Sequence, residues 1–243
     1  MIFFVGMHNL HHCHLVPRSC VTVNRLFRDR GGVIKARTKL FDVDEWIMDS
    51  GSFGMLKSHG RHTLTASDYA GICNYWFENS PGLMAVATQD MMPAFTETVT
   101  GAQQFTVSRY HLLREAIKGF VMPVLQGGAP SDYARHIDFY GPLLGPGTWT
   151  GVGSLVPHSD SPELVYEILA GIKARRPDLL LHGFGLKEGC LLYPKVRDLL
   201  YSSDSSAWAG RSWRNSGNAH CTRAARRFFD GIQYPEITQK SLL

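Results

Sequence analysis

Trp46-Ile47-Met48-Asp49-Ser50-Gly51-Ser52-Phe53 is a short apolar run that stops on a carboxylate and then passes through small residues. So short a run, bounded by Ser and Gly, reads as a buried strand. The same unit recurs. Apolar, partly β-branched runs lie at 2–6, 20–24, 46–49, 83–88, 120–125, 149–155, 179–184 and 199–203, which makes eight candidate strands. Between them, 66–78 carries Tyr69, Ile72, Cys73 and Trp76 at helical spacing, and 103–118 does the same with Phe105, Val107, Tyr110, Leu113 and Ile117. Segments 131–140 and 161–175 open on Ser131 and Ser161 at cap positions, and Pro162 suits a first helical turn. Strands alternating with helices imply parallel strands and crossover helices. Eight repeats in 243 residues predict an α/β fold of the compact (β/α)₈ TIM-barrel type. An open doubly wound sheet fits less well. No G-x-G-x-x-G follows the first strand, and the notable polar residues are spread over many strand ends.

The composition agrees with a packed domain. The chain is 44% hydrophobic and 11% aromatic, enough for a full core, and only 19% charged, which argues against a disordered chain. No apolar run is long enough to span a bilayer, and the start of the chain lacks the basic and apolar segments of a signal peptide. The five cysteines form no C-x-x-C pair, so a reducing, cytoplasmic setting is expected. The net charge is +4. From residue 207 onward Arg211, Arg214, Arg223, Arg226, Arg227 and Lys240 face only Asp230 and Glu236, which equals that whole excess. The expected organisation is a barrel over 1–210 and a basic helical extension over 211–243. Such an extension suits a polyanion, although a solvated helix face has the same composition.

In a (β/α)₈ barrel the site is built at the C-terminal ends of the strands. The polar residues collected there are Asp49 to Phe53, Gln89-Asp90, Gln126-Gly127-Gly128, Gly151 to Ser154, His182 to Gly185, and Ser202 to Ser205. Two isolated carboxylates, Asp49 and Asp204, come from different strands. A carboxylate pair is the usual equipment for breaking a glycosidic bond: one attacks the anomeric carbon and the other handles the proton on the leaving group. An Asp directly after a strand also serves as a helix N-cap, so neither residue is decisive alone.

Asp49-Ser50-Gly51-Ser52-Phe53 resembles the D-S-G-G-F/Y motif of tRNA-guanine transglycosylases, and further matches follow in the same order. They are Val124 to Gly128, Gly151 to Leu155, Leu181 to Gly185, and Ser203-Asp204-Ser205. The chain is more similar to the short branch of 7-deazaguanine DNA-modification transglycosylases. There the matches extend to Thr88-Gln89-Asp90, Pro123 to Gly127, Leu181 to Lys187 and Ser202 to Trp208. The resemblance spans about residues 1–210, and it is the order of motifs that is specific.

The resemblance implies a division of labour. Asp204 would be the nucleophile at C1′, and Asp49 the general acid and base. Phe53 and His182 would sandwich the base. Asp90 and Gln126 would read its edge, with Ser50, Gly153 and Gly183 contributing contacts. Attack, departure and replacement at one face of an enzyme-bound sugar require no cofactor. The implied partners are DNA, with tRNA as the alternative, a 7-deazaguanine base such as 7-cyano-7-deazaguanine, and partner proteins of a modification system; no membrane is implied.

The departures are specific. Ser52 replaces a Gly, which narrows the pocket or adds a hydroxyl contact. Phe95-Thr96-Glu97-Thr98 lacks the recognition Asp of the tRNA enzymes. His220 and Cys221 alone cannot make the tetrahedral zinc site usual after the last strand, so no metal is expected. The cluster His8, His11, His12, Cys13 and His14 has no zinc spacing and reads as pocket or phosphate contacts. Arg211, Arg214, Arg223, Arg226 and Arg227, interleaved with Trp208, Trp213, Phe228 and Phe229, would grip a phosphate backbone. A non-catalytic binding subunit would not need both carboxylates, and a sugar or nucleoside hydrolase would not need the base platforms.

Overall fold

The computed structural model describes residues 1–37, 43–216 and 222–235. Nine parallel strands make one sheet: β1 (Ile2–Gly6), β2 (Arg18–Thr22), β5 (Glu45–Asp49), β6 (Leu83–Ala87), β7 (Val121–Met122), β8 (Val124–Leu125), β9 (Trp149–Val152), β10 (Leu180–Gly183) and β11 (Ser202–Ser205). A separate antiparallel hairpin, β3 (Phe27–Arg30) and β4 (Val33–Ala36), is inserted after β2. The sheet order is β7-β6-β5-β2-β1-β11-β10-β9-β8. Its two ends, β7 and β8, are separated only by Pro123, so the ladder comes round on itself as a nearly closed barrel. Proline cannot donate to a ladder, and here it divides one strand between two neighbours. The (β/α)₈ expectation therefore holds.

The registers give the stagger. Pairs such as Val5↔Ser19, Trp46↔Ser19, Val86↔Val121, Gly151↔His182 and Ile2↔Ser202, followed one strand at a time, return to β1 about eight residues below the start. A shear of about eight over eight strand positions is that of TIM barrels.

The helices are α1 (Ser52–His59), α2 (Ala66–Asn79), α3 (Val99–Ala116), α4 (Pro130–Tyr140), α5 (Pro162–Arg175), α6 (Glu188–Leu192), α7 (Pro194–Leu199), α8 (Ala207–Ser216) and α9 (Thr222–Gln233). Thr65 opens α2 as a reciprocal cap with Asp68, and the Ser161 hydroxyl accepts from Leu164 N in α5. Ser131 is not a cap: α4 starts one residue earlier, and the Asp132 carboxylate takes the Gly128 and Ala129 amides at 3.0 Å each. The strand expected at 199–203 begins at Ser202, because Leu199 still belongs to α7.

Two cores result. Inside the barrel lie Phe4, Cys20, Ile47, Ala85 and Met122, with Trp149 and Phe184 packed against them. The larger core lies between strands and helices. Among the described residues two crossovers carry no α-helix: a 3₁₀ segment (Leu10–Leu15) follows β1, and the hairpin follows β2. α9 covers β1 instead. Phe228 and Phe229 pack on Phe3 at 5.6 and 6.3 Å between ring centroids, and the Gln233 side chain accepts from Phe3 N and donates to Met1 O. Among the described residues no helix is long and apolar enough to cross a membrane.

Candidate active site

At the C-terminal ends of the strands the barrel opens into a cavity of about 460 Å³. Asp49, Ser50, Phe53, Asp90, Gln126, Gly153 and Asp204 all line it. Parallel strands deliver their C-terminal residues to one mouth, which is why residues from six strands meet there. Asp204 sits level with Phe4 in the ladder and Asp49 with Thr22, four residues further along the strands. The stagger accounts for three of the four across the three strand steps between them. The two carboxylates thus lie within roughly one residue, about 3 Å, of the same height.

Asp49 is partly buried at the end of β5. Its Oδ2 accepts from Gly51 N at 3.0 Å, and Thr22 donates to the carboxylate as well. Burial, followed by the charges of Asp204 and Asp90, raises its pKa to about 7. A carboxyl so placed exchanges protons near neutrality, as a general acid and base must. The left-handed Gly51 (φ 70°) turns the chain from β5 into α1, and a Cβ there would lie 2.7 Å from the Asn24 amide.

Asp204 is nearly buried. Its Oδ1 accepts from Gly185 N at 3.1 Å and faces His182 Nε2 at 3.3 Å. His182 Nδ1 meets Ser202 Oγ at 2.9 Å, and Ser202 Oγ accepts from Trp149 Nε1 at 2.7 Å. Indole nitrogen only donates. The chain therefore runs Trp149 to Ser202 to His182 to Asp204, with His182 donating from Nε2 to the carboxylate. Cys20 lies beneath, its thiol pushed well up by burial and by the charges of Asp204 and Asp49.

Asp90 is buried beside these groups, and burial raises its pKa. It accepts from Ser50 Oγ at 3.2 Å and from Gln126 Nε2, while its own amide donates to Ser52 Oγ at 3.2 Å. The hydroxyl that replaces a glycine at 52 thus holds Asp90. Gln126 Oε1 accepts from Ser154 Oγ at 2.5 Å, and Ser154 takes the left-handed region (φ 58°), a cost most residues avoid. Beneath Gln126, its amide donates to His136 Nδ1 at 2.8 Å and its carbonyl accepts from Gln103 Nε2 at 2.7 Å. Gly153 is required for a different reason: a Cβ there would meet Gln126 Nε2 at 2.3 Å.

The DpdA family model, DeoxyPurine in DNA protein A, matches residues 3–227. The chain belongs to the DpdA family. Its barrel is accordingly that of a DNA-modifying transglycosylase family. A comparison with curated proteins gave no match.

Within this DpdA-family site, several sequence-assigned residues sit elsewhere than expected. His182 does not reach the cavity; it is fully buried one layer below, packed edge-on to Phe184 at 4.6 Å. Phe184 lines the cavity in its stead, with Phe53 at the rim and Phe95 edge-on to it at 6.2 Å. Gly183 faces Leu186 rather than the cavity, and its carbonyl accepts from Ser203 Oγ at 2.6 Å. Phe184 stood in the His182 to Gly185 stretch, so the signal for it existed.

The basic tail also differs. Phe228, Phe229 and Trp208 are buried, the last donating from Nε1 to Gly6 O at 3.0 Å, so none is a stacking platform. Arg223, Arg226 and Arg227 are exposed on α9. Arg226 pairs with Asp230 at 3.0 Å and borders a hollow with Pro17 and Asp44, at the strand ends opposite the cavity. The side chains of Arg211, Trp213 and Arg214, and residues His220, Cys221, Glu236 and Lys240, lie outside the described residues. Among the described residues no three His, Cys, Asp or Glu side chains are grouped to hold a metal. Cys13 is buried, its thiol pushed up to about 12 by desolvation.

Proposed function

We propose that the protein exchanges guanine in DNA for a 7-deazaguanine base through a covalent bond between Asp204 and the sugar. The supporting observation is the pair of carboxylates, Asp49 and Asp204, at one height in a cavity whose other walls carry aromatic rings and an amide–carboxylate pair. A nucleotide flipped from the duplex, at a cost of about a few kcal/mol, would enter it. Phe184 and Phe53 offer faces to a flat base. The Asp90 carboxylate suits the N–H donors on guanine's pairing edge, and Gln126 offers both a donor and an acceptor.

Asp204 Oδ1 is held by Gly185 and His182, so Oδ2 is assigned the attack on C1′. As that C–O bond forms, the C1′–N9 bond breaks and its electron pair leaves with guanine, which takes a proton from Asp49. The incoming base then gives its N9 proton to the Asp49 carboxylate, and N9 attacks C1′ to displace Asp204. Two inversions retain the configuration, and neither oxidant nor ATP is consumed. His182 acts as a positioning residue for Asp204.

The test is incubation with guanine-containing duplex DNA, single-stranded DNA and tRNA together with labelled 7-deazaguanine bases. Label entering DNA, released guanine in equal amount, and loss of both in Asp204→Asn are expected. Label entering tRNA alone overturns the choice of DNA, and unimpaired exchange by Asp204→Asn overturns the nucleophile.

A further inference from the structure

The β3–β4 hairpin stands where a (β/α)₈ barrel ordinarily carries its second crossover helix. Gly31 (φ 63°) and Gly32 (φ 84°) supply the two left-handed residues of its tight turn, which fixes the register as Phe27↔Ala36, Arg28↔Lys35, Asp29↔Ile34 and Arg30↔Val33. Alternation then sorts the side chains. Phe27, Ile34 and Ala36 share the face turned to α2, where Phe27 and Ile34 join the main core. The opposite face holds Arg28, Arg30, Lys35 and Val33, all exposed.

That outer face works against the stability of the hairpin. Arg28 and Lys35 are directly opposed across the two strands, and like charges so placed repel. Arg28, Arg30 and Lys35 form no ion pair with a described residue. The hairpin's one acid, Asp29, is on the other face and accepts from the Gly32 amide at 2.9 Å to cap the turn. Arg25, at the neck, is exposed as well.

The hairpin also leaves the barrel at the right end. Thr22, the last residue of β2, is level with Asp49, and the Asn24 side chain packs against Gly51. Leu26, at the hairpin's base, is four steps along the chain from Thr22, so that base lies within about 14 Å of the mouth. At about 3.4 Å of rise per nucleotide, this is the distance to phosphates some four steps from a nucleotide held in the cavity.

We infer that the outer face of this hairpin, through Arg28, Arg30 and Lys35, holds the phosphate backbone of the DNA flanking the nucleotide in the cavity. The inference rests on the reading of the protein as a DNA-guanine transglycosylase. A protein partner fits the face less well. Protein interfaces are built around an apolar or aromatic centre poor in lysine, and this face is three cations around a single valine. Backbone contact requires only unpaired cations, and it makes binding independent of sequence.

The triple variant Arg28→Gln, Arg30→Gln, Lys35→Gln tests it. Binding of a fluorescent duplex is measured against salt for both proteins, and base exchange is measured on the same duplex. The slope of log K against log salt should shrink by about 2 to 3, since each phosphate contact contributes roughly 0.9. KM for DNA should rise at least tenfold with kcat unchanged, and the melting temperature should hold or rise as the opposed charges are removed. A wild type that binds and exchanges, beside a variant with the same slope and KM, overturns the hairpin's role and leaves the transglycosylase reading standing. A wild type that neither binds nor modifies DNA overturns both.

Discussion

Replacing Asp49 with Asn should abolish base exchange and at the same time make the folded protein more stable at pH 8. The cause is the pKa of about 7, raised from 3.8 by burial and by the neighbouring Asp204 and Asp90. Between those two values the folded state holds a proton that the unfolded chain has released. Stability from this group is therefore complete below pH 3.8 and is lost as pH rises through 7. A shift of this size corresponds to about 4 kcal/mol at 1.36 kcal/mol per unit. Asn keeps the shape and carries no charge, so the variant escapes that loss. Urea unfolding of both proteins at intervals from pH 4 to pH 9 measures it. The curves should nearly coincide at pH 4, diverge steadily, and differ by about 4 kcal/mol above pH 8, a midpoint shift of about 1 M for an m-value of about 3 kcal/mol/M. Groups that do not interact with residue 49 cancel in the difference. A constant offset across the whole range would refute the placement of Asp49 between two other carboxylates.

The same carboxyl should shape catalysis. Exchange rates under saturating DNA should fall above an apparent pKa near 7, because Asp49 must carry a proton for guanine to leave. His182→Ala removes a donor to Asp204, and at about 1.5–3 kcal/mol for a charge-assisted bond kcat should drop about 10- to 150-fold. KM for the incoming base should stay put, since His182 is outside the cavity, and a KM rise instead would restore its role as a base platform. Phe184→Leu should do the reverse, raising KM for the base with little change in melting temperature. Gly153→Ala drives a methyl to within 2.3 Å of the Gln126 amide, so the Gln126 contacts with Asp90 and Ser154 must break. Discrimination between guanine and adenine in the incoming base should fall about tenfold or more, read from competition between labelled bases.

Much of the site was legible because strand ends are legible. A parallel barrel sends every strand's C-terminal residue to the same mouth. Asp49, Asp90, Gln126, Gly153 and Asp204 could thus be gathered from apolar runs ending in Ser, Gly and a polar side chain. His182 and Phe184 show where that reasoning stops. They are two residues apart, one on β10 and one just past its end, and turn to the same side, so period-two alternation cannot separate them. Which of them reaches the cavity depends on the height of β10 relative to its neighbours, and that height follows from the stagger of the closed barrel. The basic surplus shows the same limit. The count along the chain pointed to the last 37 residues. Yet α9 buries its aromatic face on β1 and sets Arg226 at the far end of the barrel, while the hairpin that carries Arg28, Arg30 and Lys35 leaves β2 at the mouth end.

By itself, then, the sequence determined the alternation of strand and helix, the barrel it implies, and the chemical identity of the two carboxylates with their polar companions. These rest on local periodicity and on residue type. Only the tertiary structure decided that Asp49 and Asp204 share a height, that His182 supports Asp204 from below, and that a hairpin carrying three exposed cations leaves the barrel at the mouth end. Height, depth and facing are properties of a closed sheet, fixed by pairings between residues as distant as Phe4 and Asp204, and no window along the chain contains them.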